Sequence, residues 1–261
     1  MSQFLLVEKD SVFHRLHPSG KIIGLLLSFI FPLAFTDPRY ILLLWLIALP
    51  AGISSGAFQI LKRLWFLFGF IILASFILWN IFTRGGEMIY ILPGLKLGKE
   101  AILFSAGMSL RLGLALFLGM IFIASTRVED LYYGLNRMGI PFAVSFALSL
   151  SFRLVPIFSE SAATILQAQR SRGLKTSRGL IQRFRSYFPL FIPVFLSALR
   201  RVDHLSIALE SRGFGAGIKR TSWVEYRFAA RDYLFLAAIL IVGGVCVYLR
   251  LNGLGTIALA P

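Results

Sequence analysis

The chain has 261 residues, of which 57% are hydrophobic and 15% are charged, and its formal net charge is +15. A soluble domain is about 25% charged, so this composition and the long apolar runs exclude an ordinary soluble protein. We expect an all-α membrane protein with about five transmembrane helices and amphipathic cytoplasmic helices, in which the excess of Lys and Arg is a topology signal.

The first predicted elements are a cytoplasmic lead-in and a short spanning helix. Residues 1–21 are mixed in polarity, lack the features of a signal peptide and contain Pro18 near an expected helix start. The apolar run at 22–35 is short for a bilayer that needs about 20 residues, so tilt must help it to span. A turn at 36–39 follows this run.

Three further apolar runs predict spanning helices and complete an N-terminal membrane domain of residues 1–125. Between the second and the third of them lies a stretch rich in Gly and Pro, residues 83–100, which predicts an extracytoplasmic loop with a hairpin as one possible form. The three runs lie at residues 40–58, 64–82 and 101–125.

Arg111 interrupts the last of these runs. An arginine near the middle of a membrane costs at least about 2.5 kcal/mol and usually has a partner. Three interpretations stay open at this point: a buried tether between helices, a contact with a membrane partner, or a helix boundary that is placed wrongly.

Residues 126–231 form a basic region that precedes a last apolar run at 233–249. The region holds 16 basic and 6 acidic residues, which gives +10 of the total charge of +15. Both this charge and the number of crossings from an inside N-terminus place the region in the cytoplasm. Residues 232–261 are then a C-terminal transmembrane helix and tail.

The basic region predicts about three amphipathic helices rather than a simple loop. The apolar stretch 142–155 is bounded by Pro141 and Pro156, and a helix of this length reaches about 21 Å, which is short of a hydrocarbon core of about 30 Å. We therefore expect it to lie along the membrane surface or against other helices. Residues 156–172 and 199–209 show apolar side chains at helical spacing.

The two longest of these helices end in nearly the same sequence, because residues 168–173 and 208–213 both read Ala-x-x-Ser-Arg-Gly. Glycine takes the left-handed position after a helix without a Cβ clash, and the helix dipole favours a cation in the last turn. Two such ends predict a two-pronged plug that seats in sockets on a partner. We refer to Ser171, Arg172 and Gly173 as tip 1, and to Ser211, Arg212 and Gly213 as tip 2.

The residues that support the tips agree in part. Ala168 and Ala208 occupy matching positions, whereas Arg170 in the first copy stands where Glu210 stands in the second. The tips therefore present different charges. This difference suits two non-identical partners or two docking angles, and it equally suits two solvated side chains.

Further motifs accompany the tips. Residues 14–21 read His-x-Leu-x-Pro-x-x-Lys, the fourth apolar run ends in Ser-Thr-Arg at 125–127, a short helix ends in the turn at 138–141, and Arg153 precedes Pro156 by three positions. Over nearly its whole length the chain resembles the transmembrane coupling subunit, or T component, of energy-coupling factor (ECF) transporters, the CbiQ and EcfT family. Some members of that family serve cobalt, nickel or biotin uptake.

The resemblance implies a non-catalytic subunit of an ABC importer in the plasma membrane. In the family, the subunit joins two cytoplasmic ATP-binding cassette ATPases to a substrate-binding membrane protein, the S component. The arginine of each tip docks in a groove on one ATPase, and ATP-driven motion reaches the S component, which releases a vitamin or metal ion inside. ATP and magnesium then belong to the ATPases. Ser171 and Ser211 replace the alanine of the family motif.

The sequence indicates no cofactor, metal or nucleic-acid site on this chain. The phosphate-binding motif of P-loop ATPases is absent, and the three histidines lack the spacing of metal ligands. Cys246 is the one cysteine, so it forms no internal disulfide, and we expect a small buried hydrophobe. The basic stretch 178–185 suits contact with anionic lipid headgroups better than nucleic acid.

Two alternative functions come from other classes of protein. A permease that carries solute itself needs polar groups or broken helices inside the membrane, for which Asn80 and Arg111 are the obvious candidates. A membrane enzyme acting on lipid needs clustered acids or histidines at a helix end, and the sequence shows none. These residues do not identify the transported substrate.

Overall fold

The computed structural model of the chain describes residues 13–83, 88–92, 95–173, 180–217 and 228–255. These residues fall into two compact units, a bundle unit (13–141 and 228–255) and a central unit (142–217). The helices are α1 (Pro18–Ala34), α2 (Pro38–Ser55), α3 (Ala57–Arg63), α4 (Trp65–Phe82), α5 (Lys99–Ser125), α6 (Val128–Arg137), α7 (Phe142–Ser171), α8 (Leu180–Ser211) and α9 (Ala230–Leu251).

Five of the described helices are long and apolar enough to cross a membrane, namely α2, α4, α5, α7 and α9. The expectation of about five such helices in an all-α membrane protein is therefore confirmed. The set differs from the predicted one, because α7 meets the criteria of length and composition whereas α1, with 17 residues, is a shorter apolar helix.

In the bundle unit, α1 and α9 run side by side in the same direction. At their beginnings the backbone N–H of His17 donates to the carboxylate of Asp232 at 2.7 Å. Beyond their ends the N–H groups of Thr36 and Asp37 donate to the carbonyl of Gly255 at 2.9 and 3.1 Å. Residues 22–34 of α1 therefore run alongside α9, which is long and apolar enough to span. That α1 itself crosses the membrane stays a prediction.

The core of the bundle unit lies where α2, α3 and α5 meet. Phe117 on α5 is fully buried, its ring stacks on Trp45 at 5.1 Å between centroids, and it meets the ring of Phe58 edge-on at 5.6 Å. The indole N–H of Trp45 donates to the carbonyl of Leu110 at 3.1 Å, so this ring is satisfied as well as buried. Cys246 lies in the same core, as expected for a small buried hydrophobe.

The second apolar run, predicted as one element, forms two helices. Asp37 caps the start of α2 by accepting the N–H of Arg39 at 2.9 Å, and Pro38 occupies the first turn. The helix ends at Gly56, whose φ of 81° is left-handed, and α3 begins at the next residue. A left-handed glycine terminates a helix without Cβ strain, which explains the division.

The interpretation of Pro156 as a helix boundary is wrong. The chain is one continuous helix from Phe142 to Ser171, and α8 likewise continues through Pro189 and Pro193. A proline inside a helix removes one backbone hydrogen bond and costs about 3 kcal/mol or more, yet long apolar segments on both sides keep the helix intact. At 30 residues, α7 reaches about 45 Å rather than the 21 Å expected from half of it.

The loop predicted between the third and fourth runs contains a hairpin. Strand β1 (Met88–Leu92) pairs antiparallel with β2 (Leu95–Gly98), with Met88 opposite Gly98. This confirms the hairpin form of the prediction. Its extracytoplasmic position stays a prediction.

Helix α5 approaches the turn between α1 and α2 so closely that only glycine fits. A Cβ at Gly107 would overlap the carbonyl oxygen of Thr36, which is backbone and cannot rotate away. We expect Gly107→Ala to lower the free energy of unfolding by about 1–3 kcal/mol or more, because overpacking forces a backbone shift. Thermal unfolding in detergent measures the effect.

Gly119 provides the matched control for this substitution. It lies on the same helix, and a Cβ there meets nothing within 4 Å. We expect Gly119→Ala to leave stability unchanged or to raise it by up to about 1 kcal/mol through helix propensity. Equal midpoints for the two variants would contradict the close approach of α5 to the turn.

Candidate functional site

Tip 2 ends α8 in the geometry that its sequence predicts. Gly213 has a left-handed φ of 76°, its N–H donates to the carbonyl of Glu210 at 2.9 Å, and the N–H of Phe214 donates to the carbonyl of Leu209 at 2.9 Å. These two bonds form a Schellman motif. Arg212 is the last residue before the left-handed glycine that ends the helix, so its side chain leaves the helix at a fixed position.

Tip 1 ends α7 in the same way over the residues that the structure describes. Gly173 has a φ of 92°, and its N–H donates to the carbonyl of Arg170 at 3.0 Å. The N–H of Arg172 donates to the carbonyl of Ala168 at 3.2 Å. The predicted glycine C-cap is therefore confirmed at both tips.

The two serines that replace alanine turn their hydroxyl groups back onto their own helices. Ser171 Oγ donates to the carbonyl of Gln167 at 3.2 Å, and Ser211 Oγ donates to the carbonyl of Ala208 at 2.9 Å. Because both hydroxyls are satisfied locally, serine changes little at the surface of either tip.

Both arginines of the tips are exposed. Among the residues that the structure describes, no side chain forms an ion pair or a hydrogen bond with the guanidinium of Arg172 or Arg212. Their neighbours Arg170 and Glu210 are exposed as well. Each tip thus presents a cation that is available to a partner, flanked by a positive charge at tip 1 and by a negative charge at tip 2.

The two tips lie far apart within the central unit. The ring of Phe214, next to tip 2, packs on Phe146 and Phe142 at the beginning of α7, with centroids 4.7 and 6.3 Å away. Arg172 follows Phe146 by about 26 residues along the same helix, which corresponds to about 39 Å for a straight helix. One socket of ordinary size cannot receive both arginines.

Arg153 and Pro156 lie in the interior of α7 and are exposed. Arg153 precedes Arg172 by about 19 residues, or about 28 Å along the helix. The structure therefore does not place Arg153 and Pro156, which were predicted to support the tips, next to tip 1.

Arg111 is half-buried, and its Nη1 donates to the sulfur of Met108 on the same helix at 3.6 Å. Within the described part of the chain, no hydrogen bond or ion pair from its guanidinium reaches another helix. The interpretation of Arg111 as a tether between helices is therefore not supported by the described contacts.

Sequence analysis assigned no role to a cluster of buried polar residues at the beginning of α1. We call His17, Lys21, Ser125 and Asp232 the anchor cluster. Asp232 is 2% exposed and accepts the N–H groups of His17 and Ala229, both at 2.7 Å. The cluster holds the beginning of α9 against the beginning of α1.

Lys21 ties the end of α5 to the beginnings of α1 and α9. Its ammonium donates to the carbonyls of Ser125 at 2.7 Å and His14 at 3.2 Å. Burial lowers the pKa of Lys21 to about 8, an effect that the charges of Asp130 and Asp232 partly offset, so it is charged at neutral pH. Lys21 precedes the apolar part of α1. The spacing of residues 14–21 was the available signal, but it did not reveal the contacts with residues more than one hundred positions away.

Helix α6 completes this end of the bundle unit. Ser19 Oγ donates to the carbonyl of Gly134 at 3.3 Å, and a Cβ at Gly134 would lie 3.1 and 3.2 Å from the backbone of Pro18 and Ser19. The first helix of the predicted basic region therefore packs on the beginning of α1.

Comparison with known proteins identifies the family. The model of CbiQ, described as cobalt transport protein, matches residues 9–223. The energy-coupling factor transporter transmembrane protein EcfT of Staphylococcus aureus is 30% identical over 259 residues, 94% of this chain and 95% of that protein. The EcfT protein of Lactococcus lactis is 29% identical over 245 residues, 89% of this chain and 91% of that protein.

A further relative has a longer chain. A Bifidobacterium longum protein that is described as an ABC transporter ATP-binding protein is 31% identical over 243 residues, which make up 88% of this chain but 31% of that protein. The match of the family model over most of the chain and the two full-length relatives agree with the five apolar helices. The chain belongs to the CbiQ family and is a multi-pass transmembrane component of an energy-coupling factor transporter.

Proposed function

We propose that this protein couples two ABC ATPase subunits to a membrane S component, and that each tip docks into one ATPase. ATP binding and hydrolysis move the ATPases, α7 and α8 transmit the motion, and the S component releases a vitamin or metal ion into the cell. The protein itself carries out no catalysis in this scheme. The observation that carries the proposal is the pair of exposed arginines, each followed by a left-handed glycine, at opposite ends of α7.

The geometry of the tips suits docking better than it suits helix capping alone. A cation at a helix C-terminus stabilises that helix by about 0.3–1 kcal/mol, for which lysine serves as well. The planar fork of arginine can hold a carboxylate through two parallel hydrogen bonds. When such an arginine is desolvated at an interface, its truncation costs about 2–5 kcal/mol or more.

The connections of the bundle unit support a cytoplasmic position for the central unit. The end of α5 and the beginning of α9 lie together at the anchor cluster, so the chain leaves and re-enters the bundle at one end. A segment that returns to the same side crosses an even number of times. Helix α7 is long and apolar enough to span, but α8 is not among the helices that are, so we infer that the pair does not cross and return and that both helices lie on one side. Their net positive charge favours the cytoplasm as that side.

The Bifidobacterium relative supports an ATPase as the partner. In that protein a segment similar to this chain fills 31% of a polypeptide described as ATP-binding. A single polypeptide keeps its parts close together, so we infer that the separate chain works beside an ATPase too. ATP and magnesium belong to that partner.

The surface of α4 is our candidate for the contact with the S component. None of its residues is buried, and Trp65, Phe66 and Phe70 are 69%, 71% and 60% exposed. These large aromatic side chains give α4 an apolar surface against which another membrane protein can move.

Co-purification tests the docking of the tips. The tagged chain is expressed with the ATPases, and Arg172→Ala combined with Arg212→Ala is compared with wild type. Because each truncation costs at least about 2 kcal/mol, we expect the ATPases to bind about a thousandfold more weakly and to be lost on washing.

The matched control is Arg200→Ala combined with Arg201→Ala. Both residues are exposed on α8 away from its tip, and the variant loses the same two charges. We expect it to retain the ATPases. Stoichiometric ATPase on the tip variant, with normal membrane insertion, would reject the proposal.

A further inference from the structure

Arg111 places a positive charge in the middle of an apolar helix. It is the thirteenth of the 27 residues of α5, which is long and apolar enough to span a membrane. Because the helix continues through this position, Arg111 does not mark a wrongly placed helix boundary. It follows Lys99 by 12 positions and precedes Ser125 by 14, which correspond to about 18 and 21 Å along the helix.

The described part of the bundle unit supplies no counter-charge for this guanidinium. Helices α1, α2, α4, α5 and α9 contain two acidic residues, Glu100 and Asp232, each in the first turn of its helix. Glu100 lies about 16 Å from Arg111 along α5, and Asp232 belongs to the anchor cluster, where it accepts two backbone N–H groups. The sulfur of Met108, which Arg111 does contact, is a weak acceptor.

The bundle unit also leaves this side of α5 open. Arg111 is half-buried, and its neighbour Leu112 is 38% exposed. Eight positions further along α5, a Cβ at Gly119 would meet nothing within 4 Å. An arginine inside a membrane span is costly and normally has a partner, so a half-exposed one next to open space indicates a partner from outside the bundle unit.

Arg111 lies at the level of the surface that we propose for the S component. Along α5 it falls between Phe104 and Gly113. The ring of Phe104 meets that of Trp79 at 5.4 Å, and a Cβ at Gly113 would lie 3.0 Å from Ile72. These two contacts place Arg111 beside the middle of α4, so a membrane protein that packs on α4 would meet α5 at this depth.

A carboxylate of such a protein fits the site better than a lipid phosphate does. Lipid phosphates lie at the surfaces of the bilayer, and both ends of α5 are farther from Arg111 than the length of an arginine side chain. A carboxylate on a partner helix can lie at the depth of Arg111, where the planar fork of arginine holds it through two parallel hydrogen bonds. Each charge then offsets the cost of the other inside the membrane.

We propose that Arg111 forms an ion pair with an Asp or Glu inside a membrane segment of the S component, and that this pair holds the S component beside α4 and α5. The inference rests on the proposed function, which supplies the S component as the partner. Arg111 then determines specificity. A membrane protein with an acid at this depth is accepted, whereas one with an apolar residue or a cation there leaves the guanidinium unpaired and is rejected.

Retention of the S component on the tagged chain, expressed together with the ATPases, tests the pair. Arg111→Met is compared with wild type and with Arg39→Met, which removes an exposed arginine from the first turn of α2. Truncation of one partner of a buried charge pair weakens binding at least about 30-fold. We therefore expect Arg111→Met to lose the S component on washing and Arg39→Met to retain it, while both variants keep the ATPases.

Two further measurements separate a contact with the partner from a structural role. Without the S component, we expect purified Arg111→Met to unfold at the wild-type temperature or above it, because the variant lacks an unpaired charge. In the S component, each Asp or Glu of the apolar segments is changed to Asn or Gln, and one of these variants should be lost as Arg111→Met is. Exchange of that acid for arginine should restore retention on Arg111→Glu.

Wild-type retention of the S component by Arg111→Met would overturn the proposal and leave the docking of the tips intact. A lowered unfolding midpoint of Arg111→Met alone would make Arg111 a structural residue, and failure of every acid variant to reproduce the loss would exclude the pair. Loss from wild type in dioleoyl phosphatidylcholine that dioleoyl phosphatidylglycerol reverses would assign Arg111 to a lipid phosphate. A wild-type complex without any S component would reject the proposed function together with this inference.

Discussion

Replacement of either tip arginine alone is expected to stop transport while leaving ATPase on the complex. Removal of Arg172 leaves tip 2 unchanged, because tip 2 lies near the beginning of α7 and Arg172 lies at its end. The remaining tip keeps the assembly together, and the truncated one binds its socket at least about 30-fold more weakly. Uptake of the substrate into vesicles should fall more than tenfold, because one of the two helices α7 and α8 no longer moves with its ATPase.

The measurement compares Arg172→Ala, Arg212→Ala and the corresponding lysine variants in vesicles with matched ATPase content. Lysine keeps the charge but lacks the planar fork, so we expect uptake between that of alanine and that of wild type. ATP hydrolysis should continue in all four variants. Wild-type uptake by either alanine variant would show that one tip is enough, and it would contradict transmission through both helices.

The two tips need not contribute equally. Tip 2 is held by the contact of Phe214 with Phe146, and its flanking residue is the acid Glu210, whereas tip 1 has Arg170 in the matching place. A socket that favours a negative flank disfavours the positive one. If the ATPases differ, this difference in charge gives each tip a preferred partner.

The local features of the tips could be predicted from sequence because they depend on neighbouring residues alone. A glycine that follows arginine at the end of an apolar helical pattern specifies a left-handed cap, and both Gly173 and Gly213 adopt it. The apolar runs likewise predicted α4 and α5, because about 20 apolar residues are what a bilayer requires.

Features that depend on interactions between residues far apart in the sequence could not be predicted. Whether Pro156 ends a helix depends on the helix on both sides of it, and the proline penalty alone gave the wrong answer. The anchor cluster joins His17 to Asp232 across 215 positions. No periodicity in the sequence indicates such a pair, although the spacing of residues 14–21 marked one half of it.

Asp232→Ala is expected to be among the most destabilising single changes in the bundle unit. Its two carboxylate oxygens accept the N–H groups of His17 and Ala229, both at 2.7 Å, in a site where the side chain is 2% exposed. Such bonds to an ionised group are about twice as strong as neutral ones. Alanine leaves two backbone N–H groups without their acceptor, at about 1–3 kcal/mol each.

The unfolding midpoint of the purified chain should therefore fall by several degrees at least, at about 2–4 °C for each kcal/mol. Asp232→Asn keeps one acceptor oxygen, and we expect its midpoint to lie between those of the alanine variant and wild type. Asp203→Ala, at an exposed position on α8, removes the same charge and should leave the midpoint unchanged. If Asp232→Ala and Asp203→Ala unfold together, the carboxylate does not hold α9 against α1, and the argument that the central unit leaves and returns at one end loses its support.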